Sequence, residues 1–386
     1  MTPAARLAAA IEILDQVIAA ARDGGAAADT IIQRYFSTRR YAGSKDRRAV
    51  LDMVFAVIRS LGERPANGRA AVIGHARSAD PALLALFGGS AGHAPPALVH
   101  GEPAASPGLA PVWLERMLIE RFGDDAQRQA RALLERAPLD VRVNSLKATR
   151  DAVLADHPDW QLLPATAHGL RLPAGTNVEA LPDHAAGWIE VQDEGSQIAA
   201  AALAARPGET VVDLCAGAGG KTLALAADMA GPRAGGGRLI ACDTDRARLS
   251  QLPPRSARAG AAVETRLLNP GAEAGALADL IGQCDAVLID APCSGSGTWR
   301  RNPESRWRLT PDRLARLVAT QGRLIALGTS LLKPGGRLVY IVCSLLPAEG
   351  EAQLAAVPGL AGWTTRLLTP ADQGCDGFFI AQSSRL

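Results

Sequence analysis

The sequence predicts an α/β protein: a doubly wound parallel-sheet domain in the C-terminal half, preceded by a helical N-terminal domain and a small α/β subdomain. Three observations predict it. From Gln197 onward, short apolar runs alternate regularly with helical segments, as buried parallel strands joined by crossover helices do. Before residue 88, apolar residues recur at helical spacing. Between these regions, residues 140–147 alternate like a short strand. A chain of 386 residues, 48% hydrophobic and 21% charged, has room for two or three soluble domains.

In the N-terminal domain, placed at 1–138, Ile11, Leu14, Val17 and Ile18 mark one helix. Val50, Leu51, Val54, Val57 and Ile58 mark another. Residues 89–111 hold Gly89, Gly92, Pro95, Pro96, Gly101, Pro103, Pro107 and Pro111 and read as a linker. A helix resumes from Trp113 to Phe122, and a further helical stretch ends near Pro138. The small α/β subdomain, 139–195, opens on D-V-R-V-N-S-L-K (140–147) and includes G-L-R-L-P (169–173). In the third domain, 196–386, the strands are placed at 210–215, 237–243, 262–268, 286–290 and 337–343. Ligands in such sheets bind outside the carboxyl ends of the strands, which puts 213–221, 243–245, 290–293 and 343–344 at the ligand face.

The turn after the first of these strands, D-L-C-A-G-A-G-G-K-T (213–222), is not a P-loop. Gly220-Lys221-Thr222 match, but Cys215 stands where the first glycine is required. The dinucleotide fingerprint also fails, because Thr222 replaces its third glycine. Gly217, Gly219 and Gly220 still let the backbone approach a ligand at a helix N-terminus. Asp243 ends the next strand, where an acid can hold both hydroxyls of a ribose. This is the arrangement of an S-adenosylmethionine site.

Two further strand ends carry thiols, Cys293 in D-A-P-C-S-G-S-G and Cys343 in Y-I-V-C-S. Carbon 5 of cytosine is a poor nucleophile. A thiolate added to carbon 6 makes it an enamine carbon that can take a methyl group from a sulfonium donor. Such chemistry needs a cysteine facing the donor, an acid-capable group at the base edge and an unstacked base. Asp290 is placed to contact the base edge, and either thiol can be the nucleophile on this reasoning. The competing reading of each is a buried small hydrophobe, which is the one adopted for Cys215 as a thiol and for Cys242, Cys284 and Cys375. With no C-x-x-C pair, neither a disulfide scaffold nor a metal site is expected.

The chain resembles the RsmB/NOP2/Sun (NSUN) family of S-adenosylmethionine-dependent RNA 5-methylcytosine methyltransferases, and among them the bacterial 16S rRNA members. The resemblance rests on D-L-C-A-G-A-G-G-K-T, D-A-P-C-S-G-S-G, L-K-P-G-G-R-L-V-Y-I-V-C-S, D-G-F-F-I-A (376–381) and V-Q-D-E-G-S-Q (191–197). It is visible upstream in R-R-Y-A-G-S-K-D-R-R (39–48), similar to a NusB-like helical domain, and in V-R-V-N-S-L-K, similar to an RRM-like RNA-binding subdomain. It implies a Rossmann-like class I methyltransferase domain, with Cys343 as nucleophile and Cys293 assisting breakdown of the covalent adduct. Lys221 and Asp290 match the family's motif lysine and base-contacting acid. The cofactor loop maps to Cys215, Ala216, Gly217, Ala218, Gly219, Gly220 and Lys221, and the ribose-binding acid to Asp243. Two departures stand out. Asn269 occupies the place of the usual adenine-contacting Asp, and P-A-E-G-E (347–351) keeps Glu349 as the one clear match to the family's tail, with no role assigned. A free thiol ionises near pH 8.5, so Cys343 needs a nearby cation, for which Lys221 is the candidate.

Net charge is +2, but residues 1–70 alone carry 11 Lys/Arg against 7 Asp/Glu. Arg39, Arg40, Lys45, Arg47 and Arg48 cluster there, and Arg300, Arg301, Arg306 and Arg308 cluster after Cys293. Basic patches on a near-neutral chain suit RNA phosphates, and solvated helix faces are the alternative. Ribosomal RNA is favoured over transfer RNA by the resemblance. The rival readings are a non-catalytic RNA-binding or assembly factor and a methyltransferase acting on DNA or protein. With no signal-peptide layout and no run of about 18 apolar residues, the expectation is a cytoplasmic, monomeric protein with reduced thiols.

Overall fold

The computed structural model describes residues 1–89, 93–230, 237–355 and 357–386; Gly92 of the expected linker lies outside them. The chain divides into two compact units. One comprises Met1–Arg136 with Ser294–Pro311, the other Ala137–Cys293 with Asp312–Leu386. The three-part division at 138 and 195 is therefore modified twice. The small α/β region joins the same unit as the large sheet. The segment Ser294–Pro311, placed by sequence in the third domain, groups with the N-terminal helices.

The N-terminal unit contains α1 (Pro3–Asp23), α2 (Ala28–Ser37), α3 (Ser44–Ser60), α4 (Gly68–Ser78), α5 (Val112–Phe122) and α6 (Ala126–Ala132). Thr2 caps α1 by accepting from the Ala5 amide at 3.2 Å, and Asn67 caps α4 through Ala70 at 2.8 Å. Leu7, Ile13, Leu14 and Val17 of α1 pack with Val50, Val54, Val57 and Ile58 of α3 in one buried core. These are the helical stripes expected from the sequence.

Ser294–Pro311 completes this unit by satisfying helix ends. Glu304 accepts from the Ala28 amide at the start of α2 at 2.9 Å. The Arg306 guanidinium donates to the carbonyls of Ile58 (2.6 Å) and Leu61 (2.8 Å), where α3 ends. Trp307 Nε1 also donates to Leu61, and Arg308 donates to Gly25 and Ala26 beyond α1. Terminal helix carbonyls have no intrahelical donors, so these arginines serve backbone groups.

The second basic cluster is corrected accordingly. Arg306 is fully buried, Arg300 is 6% exposed and Arg301 is half-buried. In the first cluster, Arg39 lies 3.7 Å over the Tyr35 ring and donates to the Tyr35 carbonyl. Arg47 is exposed but bonds the Ala42 carbonyl at 2.9 Å, while Arg40, Lys45 and Arg48 are exposed.

The second unit carries two sheets. The smaller is antiparallel, in the order β2-β3-β1-β4, built from β1 (Leu139–Val143), β2 (Gln161–Leu162), β3 (Gly169–Leu172) and β4 (Ile189–Val191). The larger has seven strands: β5 (Thr210–Asp213), β6 (Arg238–Asp243), β7 (Glu264–Leu267), β8 (Cys284–Asp290), β9 (Leu332–Val342), β10 (Thr364–Leu368) and β11 (Phe378–Ser384). Their order is β10-β11-β9-β8-β5-β6-β7. Strands β5 to β9 are mutually parallel, whereas β11 runs antiparallel to β9 and β10 to β11. The five parallel strands were legible from sequence, but the two antiparallel ones were not. The chain builds outward from β5 through β6 to β7, then returns to β8 on the other side, so the switch point falls between β5 and β8. Among the described residues no helix is long and apolar enough to cross a membrane.

Candidate active site

At the end of β5 the backbone must reverse into the helix Gly220–Asp228. It does so through two left-handed glycines, Gly217 at φ +56° and Gly219 at φ +87°. A Cβ at Gly219 would lie 2.2 Å from the buried Leu252 side chain, and at both positions the left-handed backbone favours glycine. Next to them, a Cβ on Gly220 would meet nothing within 4 Å, leaving open space over the helix N-terminus. The Asp243 carboxylate at the end of β6 accepts from the Gly217 amide at 2.6 Å and the Asp245 amide at 2.7 Å. That ties the glycine turn to the neighbouring strand and orients a charged acceptor beside it.

The two thiols meet across β8 and β9. In the parallel register Asp290 pairs with Ile341, and the Ala291 amide donates to the Ile341 carbonyl at 2.9 Å. Cys293 lies three residues beyond the first partner and Cys343 two beyond the second, so both emerge at the same sheet edge. Their sulfurs are 3.3 Å apart, and both are half-buried thiols outside any disulfide. The other cysteines are held as inert thiols. Burial pushes Cys242 and Cys375 up to about 12 and Cys284 to about 11. Cys215 is pushed well up by burial and by the carboxylates of Asp213, Asp290 and Asp243.

Lys221, in the first turn of the same helix, donates to Asp290 Oδ2 at 2.7 Å, and its Nζ lies 5.3 Å from the Phe378 ring centroid. Burial pulls the ammonium down. The Asp290 carboxylate and the Cys343 sulfur outweigh it, so its pKa is raised and the lysine stays charged. The D-G-F-F segment thus supplies an aromatic floor under the motif lysine. Its Asp376 amide also donates at 3.2 Å to Asp193, the acid that caps the helix Glu194–Ala201, which joins it to the V-Q-D-E-G-S-Q segment.

Sequence reasoning passed over Asp213, which is wholly buried at the end of β5. One of its oxygens accepts from Thr222 at 2.7 Å, and burial raises its carboxyl to about 7. The folded carboxyl keeps its proton up to about pH 7, whereas an unfolded one loses it near 3.8. The folded state binds the extra proton between those limits, so stability falls as pH rises through that window and levels off above it. The shift corresponds to up to about 4 kcal/mol. Asp213→Asn is expected to flatten the decline of Tm between about pH 4 and about pH 7, measured by calorimetry. An unchanged slope rejects this assignment.

Sequence analysis also left Gln321 and Glu349 without a role, and both are fully buried behind the thiols. Their signals were weak: one polar residue among several in an amphipathic helix, and one matched acid in a divergent tail. Asn269 lies exposed in the turn after β7, where the Leu268 amide donates to the Asp243 carbonyl at 2.9 Å. It therefore leaves the sheet beside the ribose-type acid. The structure brings Lys221, Asp243, Asp290, Cys293 and Cys343 to one end of the parallel strands. The basic residues Arg39, Arg40, Lys45, Arg47, Arg48, Arg300, Arg301 and Arg306 belong to the other unit. Volume alone does not mark the site, since a cavity of about 960 Å³ lined by Glu12, Tyr35, Tyr41 and Arg69 carries no thiol.

The residues present suit S-adenosylmethionine. Asp243 offers two oriented carboxylate oxygens to a diol, each with a lone pair beyond its amide bond. The open space at Gly220 sits over unpaired helix amides that favour a carboxylate.

Residues 200–360 match the family described as 16S rRNA methyltransferase RsmB/F, and residues 110–179 match the RsmF/B-like ferredoxin-like domain. The chain is 36% identical over 254 residues to the probable ribosomal RNA small subunit methyltransferase B of Synechocystis sp., an alignment covering 63% of this chain and 55% of that protein. It is 34% identical over 296 residues to ribosomal RNA small subunit methyltransferase B of Salmonella arizonae, covering 71% and 66%. It thus spans between about half and two thirds of these relatives' lengths. A methyltransferase homologue from Pyrococcus horikoshii superposes with a TM-score of 0.60 at 28% identity, over 72% of this chain and 96% of that one.

Proposed function

Because the chain belongs to the RsmB/NOP2/Sun family, we propose that it transfers a methyl group to carbon 5 of a cytosine in RNA, with small-subunit ribosomal RNA as its substrate. The observation that carries this reading is the pair of thiols 3.3 Å apart at the ends of β8 and β9, beside the Lys221–Asp290 ion pair. The cofactor is S-adenosylmethionine, held by the turn from Cys215 to Lys221 and by Asp243, with Asn269 on the adenine side. When bound, it supplies an electrophilic methyl group on a sulfonium sulfur.

Cys343, as the thiolate, adds to carbon 6 of the cytosine, and the ring becomes nucleophilic at carbon 5. Asp290, about a third exposed, holds the base edge, and Lys221 keeps a positive charge near the attacking sulfur. After carbon 5 is methylated, its proton passes to Cys293, which acts here as the thiolate base. The C5–H electron pair forms the C5–C6 double bond, and the Cys343 thiolate departs. One thiol makes the covalent bond and its neighbour helps to break it, a division that a lone Pro-Cys thiol does not offer.

The test is incubation of the purified protein with methyl-labelled S-adenosylmethionine and 16S rRNA, followed by mapping of 5-methylcytosine. Label in transfer RNA alone would reassign the substrate, and no transfer to any RNA would favour a non-catalytic assembly factor. The exposed Arg40, Lys45 and Arg48 bind phosphates in this reading, with Arg47 beside them. Lys45→Glu with Arg48→Glu is expected to weaken RNA binding by about tenfold or more and to reduce its salt dependence. Affinity and salt slope equal to wild type would remove these residues from the RNA surface.

A further inference from the structure

A buried hydrogen-bonded chain runs behind the two thiols and joins their backbone neighbours. Gln321 lies on the helix Pro311–Leu331 and is completely buried. Its side-chain NH2 group donates to the Pro292 carbonyl at 2.9 Å and to Glu349 Oε1 at 3.0 Å. Pro292 immediately precedes Cys293. The other oxygen of Glu349 accepts from Ser344 Oγ at 2.6 Å, and Ser344 immediately follows Cys343. The chain therefore reads Pro292, Gln321, Glu349, Ser344, and it spans the loops that carry both sulfurs.

Glu349 is itself held from several sides. Its backbone carbonyl accepts from the buried Tyr340 hydroxyl at 2.6 Å. The next residue, Gly350, lies flat on Phe379, where a Cβ would come 3.1 Å from the ring. The Ser344 hydroxyl in turn accepts from the Leu346 amide at 3.1 Å. Buried hydrogen bonds in a low-dielectric interior are stiff, and each break leaves a polar group without its partner. A carboxylate accepts only, an amide NH2 donates only, and a hydroxyl does both. The alternation of Gln, Glu and Ser along this chain is thus the order of donors and acceptors that the connection requires.

We propose that Gln321 and Glu349 are positioning residues that set the spacing and orientation of Cys293 relative to Cys343. The inference rests on the reading of these thiols as the reacting pair. Neither residue touches the reacting atoms; both act through the loops they brace. Release is the step most sensitive to them. Attack by Cys343 needs one thiol and the base, whereas breakdown of the adduct needs both sulfurs in register.

The test uses the full chain with Gln321→Met, which keeps the volume but removes both hydrogen bonds, and Ser344→Ala, which removes one link. Glu349→Gln preserves a hydrogen-bonding shape and serves as the conservative variant. The first readout is independent of catalysis: closure of Cys293 and Cys343 to a disulfide by diamide, which takes up the two thiol hydrogens as the S–S bond forms, followed by mass spectrometry. Gln321→Met is expected to slow closure by about tenfold, Ser344→Ala by less, and Glu349→Gln least. The second readout is the share of protein trapped as a denaturant-resistant RNA adduct during turnover, which rises in the same order. A purely structural role would lower Tm while leaving closure rate and trapped share unchanged, and that result overturns the proposal. If Gln321→Met does not fold, Ser344→Ala decides by the same two readouts. If wild type transfers no methyl group to RNA, the functional reading fails while the closure rates still judge the brace.

Discussion

Cys343→Ala is expected to abolish both methyl transfer and covalent capture of RNA, whereas Cys293→Ala retains capture and accumulates an adduct that survives denaturant. Removing a covalent nucleophile costs at least about 10³-fold in rate, because no other group can open the same path. Removing the release thiol leaves attack and methylation intact and slows the step after them, so the intermediate builds up. Gel mobility in denaturant, with labelled RNA, reads the difference directly. The pair is a controlled comparison. Both substitutions delete the same 3.3 Å sulfur contact and a half-buried side chain of the same size, so packing losses are shared and the contrast is chemical. An adduct in Cys343→Ala instead would reverse the two roles.

Arg306→Met is expected to destabilise the N-terminal unit by about 2–4 kcal/mol, because the buried carbonyls it serves lose a donor. Burial pushes the guanidinium pKa down, but an arginine remains protonated, and its charge is spread over carbonyl dipoles at the end of α3. Methionine fills much of the volume and donates nothing, leaving the carbonyls of Ile58 and Leu61 without this donor. Calorimetry of the full chain should show the helical unit's transition lowered by about 10 °C. A Tm within about 2 °C of wild type would show that solvent replaces these bonds without cost.

These two expectations sit at opposite ends of what the sequence discloses. The thiols were legible because each ends an apolar strand beside Gly, Pro or Ser, and strand ends in a parallel sheet face the ligand. Arg306 was misread because charge density along a chain says nothing about burial. Four arginines within nine residues look like a basic surface until the segment is seen capping helices more than 240 residues earlier. The antiparallel strands β10 and β11 escaped for a related reason. β11 pairs with β9 and β10 with β11, and nothing local distinguishes a strand that adds in parallel from one that turns back.

The sequence by itself determined the helical stripes of the N-terminal unit, the five parallel strands, the glycine turn that lets the backbone approach a ligand, and the residue types at each strand end. All of these follow from periodicity and spacing within a few residues, where sterics and hydrogen-bond geometry are local. Only the tertiary structure decided that Cys293 and Cys343, 50 residues apart in sequence, lie within contact. It also decided that Gln321 and Glu349 brace their loops and that Asp213 is sealed from water. Such facts depend on how β8, β9 and the helix between them pack. Burial and pairwise distance are properties of that packing, and they set the electrostatics and hydrogen bonding on which the proposed chemistry depends.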